Sequence, residues 1–178
     1  MEKPAEKSFL DIARCRRSTR EFADAPLDEN EVVDLVRPAL MAPSSKNKRA
    51  WELTLVDDKA VLAALAACKH GGARFLGGAA LAIAVCGRTD VSDVWVEDAS
   101  IVAAALLYQA EAMGLGACWV QVRGRSQKDG TPAASVVREV LDLPPGQEPL
   151  CLIAVGRKAA TLPPYDTDDL PWEKIHIR

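Results

Sequence analysis

One α+β domain is predicted for this chain, and three observations predict it. Segments of helical and of strand periodicity interleave in the order helix, helix, strand, helix, strand, helix, strand, helix, strand, tail. No internal repeat or low-complexity linker divides them. The 178 residues suffice for one real core, and 49% hydrophobic against 26% charged residues is the balance of an ordinary globular domain.

The first helix is short. Phe9, Ile12 and Ala13 give it one apolar face just ahead of a run of arginines. In the second, "LDENEVVDLVRPAL", Asp28 with Glu31 three residues on makes an N-cap signature. Val32, Val36 and Leu40 follow at helical spacing, and Pro38 is expected to kink the helix or end it early. "WELTLVD", 51–57, alternates β-branched and aromatic residues as a strand does. "DKAVLAALAACK" returns to helix, and "ALAIAVCG", 80–87, reads as a strand buried on both faces.

The strongest helix spans 95–113 and stops at Gly114; its alanines and Ser100 allow close helix–helix approach. "GACWVQV", 116–122, is the third strand. Thr131–Pro132 starts a helix to about Leu141, and "LCLIAVG", 150–156, is the fourth strand. The proline-rich, acidic tail carries Tyr165, Trp172, Ile175 and Ile177, apolar weight that a free tail seldom holds, so it is expected to pack on something.

Composition narrows the function. A net charge of −3 argues against a nucleic-acid binder, which needs a broad basic face. The five cysteines are scattered without C-x-x-C, and the two histidines stand far apart, so no metal spacing appears. Cys86, Cys118 and Cys151 lie in apolar runs, as inert buried thiols do. The beginning "MEKPAEKSFL" has no apolar run of a signal peptide, and Ala99 to Leu107 is too short to span a bilayer. A reducing cytoplasm is the expected setting.

Three segments stand out. "RCRRSTR" sets Arg16, Arg17, Ser18 and Arg20 close together; it suits either a solvated helix end or a cage for a phosphate monoester, since arginine carries a planar fork of donors. "APSSKNKRAW" offers Pro43, Ser44, Ser45 and Asn47, either a plain turn or a set of ligand hydrogen-bonding groups. "CWVQVRGR" is a strand running into a basic loop. "GLGACW" lacks the third glycine of a dinucleotide fingerprint and lies between helix and strand, so Gly114 and Gly116 read as a helix stop and a tight turn.

In order and spacing these segments resemble the FMN-dependent nitroreductase family. Its R-R-S-x-R-x-F motif is matched by Arg16, Arg17, Ser18, Arg20 and Phe22, and its A-P-S-S/G-x-N-x-Q-P-W motif by Ala42, Pro43, Ser44, Ser45, Asn47 and Trp51. Its G-x-G and C-W-x strand are matched by Gly114, Gly116, Cys118 and Trp119, and the likeness runs through residues 8–157. The chain departs from the family at Arg49-Ala50, in place of Gln-Pro. It departs again in the tail, where Asp166 stands in a stretch that often carries a basic pair, leaving Arg157 and Lys158 nearby.

The resemblance implies a mixed, mostly antiparallel sheet flanked by helices in an intertwined homodimer. Residues 1–162 would form the FMN-binding domain and 163–178 a tail packing on the partner subunit. Arg16, Arg17, Ser18, Arg20 and Arg157 would hold the phosphate and ribityl chain. Pro43, Ser44, Ser45 and Asn47 would reach the flavin from the other subunit, and Trp119, Val120, Gln121 and Val122 would line its ring edge, with a backbone N–H near Gln121 facing N5. The implied activity is a ping-pong cycle in which NAD(P)H reduces the flavin and a nitroaromatic, quinone or similar small molecule reoxidises it, with no obligatory acid or base from the protein. Trp51 reads as a packing anchor. The alternatives are a same-fold dehalogenase, azoline-type dehydrogenase or flavin-cleaving enzyme, and a flavin-binding regulatory protein without turnover.

Overall fold

In the computed structural model, which describes residues 7–178, the predicted order of elements is realised. The helices are α1 (Phe9–Cys15), α2 (Glu29–Leu40), α3 (Lys59–Ala66), α4 (Trp95–Ala112) and α5 (Ala133–Val140). The strands are β1 (Trp51–Val56), β2 (Leu81–Arg88), β3 (Leu115–Gln121) and β4 (Gln147–Arg157). Most of the segment searched for a signal peptide lies outside the described residues. Among those described, no helix is long and apolar enough to cross a membrane.

The sheet order is β1-β2-β4-β3, every neighbouring pair antiparallel. Among the described residues the one parallel pairing is a bridge from Ser18 to Ala117. Strand periodicity divides the core in two. Ile83, Val85, Ile153 and Val155 face α4 and α2, while Ala82, Ala84, Leu152 and Val120 face α3 and α5. β2 is buried from Leu81 to Gly87, which is why its sequence shows no alternation.

Two prolines sit where their missing N–H does least harm. Of the two outcomes expected of Pro38, an early end does not occur; the helix continues to Leu40. The carbonyl of Asp34, which residue 38 would ordinarily satisfy, accepts instead from Gln109 Nε2 of α4 at 3.0 Å. Pro149 lies inside β4, which begins at Gln147, three residues before the predicted start. β3 pairs no further along β4 than Cys151, so Pro149 has a strand on one side only, beside a bulge in the β2–β4 ladder.

Four of the five thiols are inert by burial, Cys15 alone being partly accessible. Desolvation pushes up Cys68, Cys118 and Cys151, and takes Cys86 to about 12. Among the described residues the tail's hydrogen bonds to the rest of the chain lie near its beginning, where Tyr165 N–H donates to Arg14 O at 2.9 Å. Beyond that point Trp172, Ile175 and Ile177 are 64%, 68% and 96% exposed.

Candidate functional site

The arginine segment is an added edge to the sheet, and two glycines make room for it. Thr19 N–H donates to Ala117 O at 3.0 Å, so residues 18–19 run beside β3; Ala23 N–H then donates to Arg157 O at 3.0 Å, just past the start of β3. Gly116 and Gly156 are direct partners across β3 and β4. A Cβ on Gly116 would lie 2.6 Å from Thr19 Cγ2, and one on Gly156 2.9 Å from Phe22. Thr19 and Phe22 therefore seat in a notch that only glycine leaves open, which fixes the position of Arg20 between them and of the segment that leads in from Arg16. Gly116 thus lies inside β3 and not in the tight turn expected of it; the turn falls at Met113–Gly114.

Not all the predicted cations are equally available. Arg17 donates to Pro163 O at 2.6 Å and lies over the Tyr165 ring at 4.6 Å, so it holds the tail. Arg157 forks onto both oxygens of Glu31 at 2.8 Å, and Lys158 pairs with the buried Glu111 at 2.7 Å. Arg157 thus serves the start of α2, where Glu31 also closes the capping box with Asp28. Among the described residues Arg16 and Arg20 have no carboxylate partner; Arg20 makes a long 3.5 Å contact with Ser18 O and lies 5.9 Å from the Phe75 ring centre.

Further along β3 the edge is open. Val122 N–H donates to Leu150 O of β4 at 3.2 Å, whereas Ala117 O points to Thr19 on the opposite side. Backbone direction alternates along an antiparallel strand, so Trp119 and Gln121 turn their amides to the same outer edge as Ala117. Side chains divide differently. Val120 and Val122 are buried in the core against α3 and α5, and by the same alternation their amides face β4, so neither presents a group to the outer edge. Trp119 Nε1 donates to Gln121 Oε1 at 2.8 Å, and Gln121 Nε2 donates to Arg123 O at 2.8 Å.

The Pro43–Asn47 segment is not brought to this edge. It leads through a short helical turn at Ser45–Asn47 into β1, the opposite edge strand, with β2 and β4 between β1 and β3. Three strand spacings amount to about 14 Å. Lys46, Asn47 and Arg49 all have positive φ, a costly run for side-chain-bearing residues. Ser44 Oγ accepts from Arg49 N–H at 2.9 Å, and Ala50, where the family often has proline, is buried. Trp51 packs partly buried against the core, as an anchor should.

Asp98 holds this loop and was not singled out by the sequence, where it reads as one more acidic residue in the first turn of a helix. Its side chain is 3% exposed, and Oδ1 accepts the Ser45 N–H at 2.8 Å. Losing that acceptor would leave a part-buried amide unpaired, at a cost of about 1–3 kcal/mol. Asp98→Ala is therefore expected to free the loop, while Asp98→Asn, which keeps an acceptor, largely preserves it. Trypsin reads this directly, because Lys46, Lys48 and Arg49 are its cleavage residues. Native-state cutting there should rise at least tenfold in the alanine variant and stay near the parent in the asparagine variant. Equal cutting in all three proteins would show that Asp98 does not hold the loop.

Comparison with known proteins agrees with this architecture. The sequence model of the Nitroreductase family matches residues 13–86 and 68–157. A curated protein of Archaeoglobus fulgidus, provisionally named NADH dehydrogenase/NAD(P)H nitroreductase, is 27% identical over 164 residues, covering 90% of this chain and 91% of its own. Among solved structures, an FMN-dependent nitroreductase from Clostridium difficile is similar at a TM-score of 0.92 and 38% identity, covering 94% of this chain and 98% of that one. A structure from Parabacteroides distasonis, with the same provisional name as the Archaeoglobus protein, follows at 0.87 and 33%, covering 97% and 98%. The chain belongs to the nitroreductase family.

Proposed function

We propose that this protein is an FMN-dependent oxidoreductase that works as a homodimer, taking electrons from NAD(P)H and passing them to a small acceptor such as a nitroaromatic or a quinone. The observation that carries the reading is a pair of arginines without acidic partners among the described residues, Arg16 and Arg20, beside a strand edge whose Trp119 and Gln121 amides face outward. These residues fit FMN. Arginine forks and the Ser18 hydroxyl suit a terminal phosphate, and an outward strand amide suits the acceptor atoms of a flavin ring.

In this reading Arg16, Arg20 and Ser18 hold the phosphate end, while Arg17 braces them through the tail. The Gln121 backbone N–H orients the ring edge. Gln121 and Trp119 lock each other's side chains, so that edge is rigid. Bound FMN supplies the two-electron chemistry itself, as a hydride acceptor and then a donor. The strand separation of the Ser44–Asn47 loop from the arginines within one chain supports a site completed by the partner subunit, whose loop Asp98 stiffens.

The test begins with colour. The purified protein should be yellow, release FMN and no FAD on denaturation, and bleach anaerobically with NADPH or NADH. Arg20→Ala should weaken FMN binding about tenfold or more, the scale of one charge-assisted hydrogen bond. Riboflavin, without the phosphate, should bind poorly and respond little to the substitution. Equal losses for FMN and riboflavin would mean that Arg20 does not read phosphate. Bound FMN that neither nucleotide reduces would favour a regulatory flavoprotein instead.

A further inference from the structure

A second cluster of cations lies outside the groups assigned to the flavin. A cavity of about 540 Å³ opens between the end of α3, the glycine-rich turn that follows it and the loop after β3. Its charged lining is Lys69, Arg74 and Lys128, with His70 beside them and no acidic residue. Among the described residues none of the three cations has a carboxylate partner, on a protein whose net charge is −3.

The walls are tied to each other. His70 N–H donates to Ser126 O at 2.9 Å, and Gln127 Nε2 donates to Ala67 O at 3.0 Å. The two loops therefore bring Lys69 and Lys128 to one opening, though 59 positions separate them in the chain (128 − 69). Burial holds the Lys69 ammonium below the usual lysine range, and the nearby Arg125 adds to this, as for a cation lacking a counter-ion. The cavity neighbours the arginine edge. Arg20 lies 5.9 Å from the ring centre of Phe75, the residue after Arg74.

We propose that this cavity binds a phosphate monoester dianion, the adenosine 2′-phosphate of NADPH, and so selects NADPH over NADH. The inference rests on the oxidoreductase reading above. The flavin's own monoester is already provided for by Arg16 and Arg20. A second dianion site within reach of the same strand edge suits a reductant that carries one more phosphate than its close analogue. Lys69 and Lys128 supply point charges, and Arg74 adds a planar fork.

The experiment uses the full-length protein saturated with FMN and titrated calorimetrically with adenosine 2′,5′-bisphosphate, adenosine 5′-monophosphate and inorganic phosphate. The bisphosphate should bind at least tenfold tighter than either other probe. Lys69→Gln with Lys128→Gln should abolish that margin and lower the NADPH-to-NADH ratio of kcat/KM at least tenfold. Equal affinity for the bisphosphate and the monophosphate would overturn the proposal. So would inorganic phosphate binding as tightly as the bisphosphate, which would make this a free-phosphate site. Loss of FMN affinity in the double variant with the bisphosphate margin intact would assign the cations to the flavin instead. Calorimetry needs no turnover, so the two readings fail separately. A protein that prefers the bisphosphate yet holds no reducible flavin sinks the oxidoreductase reading, and a reducible yellow protein indifferent to the 2′-phosphate sinks only this one.

Discussion

Gly116→Ala is expected to cost this protein most of its flavin affinity while leaving its sheet assembled. The added Cβ would meet Thr19 Cγ2 at 2.6 Å, and Thr19 Cβ and Oγ1 both at 2.8 Å. Thr19 is buried and β-branched, so its side chain cannot swing clear, and the backbone of residues 18–19 must move off β3 instead. Overpacking of this kind costs about 1–3 kcal/mol. That displacement falls on the segment carrying Arg16, Ser18 and Arg20, so FMN binding should weaken about 10–100-fold, or ~1.4–2.7 kcal/mol. Thr19→Gly removes all three colliding atoms. The double variant should therefore recover much of the lost affinity, and a coupling between the two sites would appear in the cycle. Parental FMN affinity in Gly116→Ala would show that the notch does not set the arginines.

That notch illustrates which parts of the molecule were legible in the sequence. The order of helices and strands could be read because each has a period, a cap or a stop; Asp28 with Glu31 and Gly114 behave as their sequence contexts suggest. The arginines could be picked out by type and density. Their division of labour could not, because Glu31 and Glu111 reach Arg157 and Lys158 across 126 and 47 positions. Pro38 left two outcomes open for a similar reason. Its effect depended on Gln109, 71 positions on (109 − 38), which replaces the missing N–H at the Asp34 carbonyl.

Side chains with no periodic signal were harder still. Asp98 looks like an ordinary first-turn acid until the Ser45 amide arrives at its carboxylate. Lys69 closes a segment that reads as helix, "DKAVLAALAACK", and it shares a cavity with Arg74 and Lys128 only when the loop at Ser126–Lys128 closes on the turn after α3. Val120 and Val122, grouped with a ligand-lining strand, carry their side chains into the core because a strand offers alternate residues to opposite faces.

Under the proposed homodimer, deleting residues 163–178 is expected to loosen the pairing and lower flavin occupancy together, and two lengths of deletion separate the causes. The full deletion removes Pro163 and Tyr165, the groups that hold Arg17, along with Trp172, Ile175 and Ile177. Removing only 171–178 keeps the Arg17 contacts and takes away the exposed apolar end. Phe9, Leu10, Met41 and Ile101 are also exposed on this chain, at 66%, 62%, 73% and 42%. So much apolar surface on one domain suits a partner better than solvent. A C₂ partner would cover the same patches on both copies, and folding and association would then be coupled. Under this reading the short deletion should raise the dimer dissociation constant at least tenfold by sedimentation. FMN should be lost in proportion to the monomer formed, because the Ser44–Asn47 loop leaves with the partner. The long deletion should lose FMN even from the remaining dimer, since Arg17 is then unbraced. A short-deletion protein that stays dimeric and fully yellow would show that Trp172, Ile175 and Ile177 do not build the interface. A full-length protein that sediments as a monomer with bound, reducible FMN would refute the shared site.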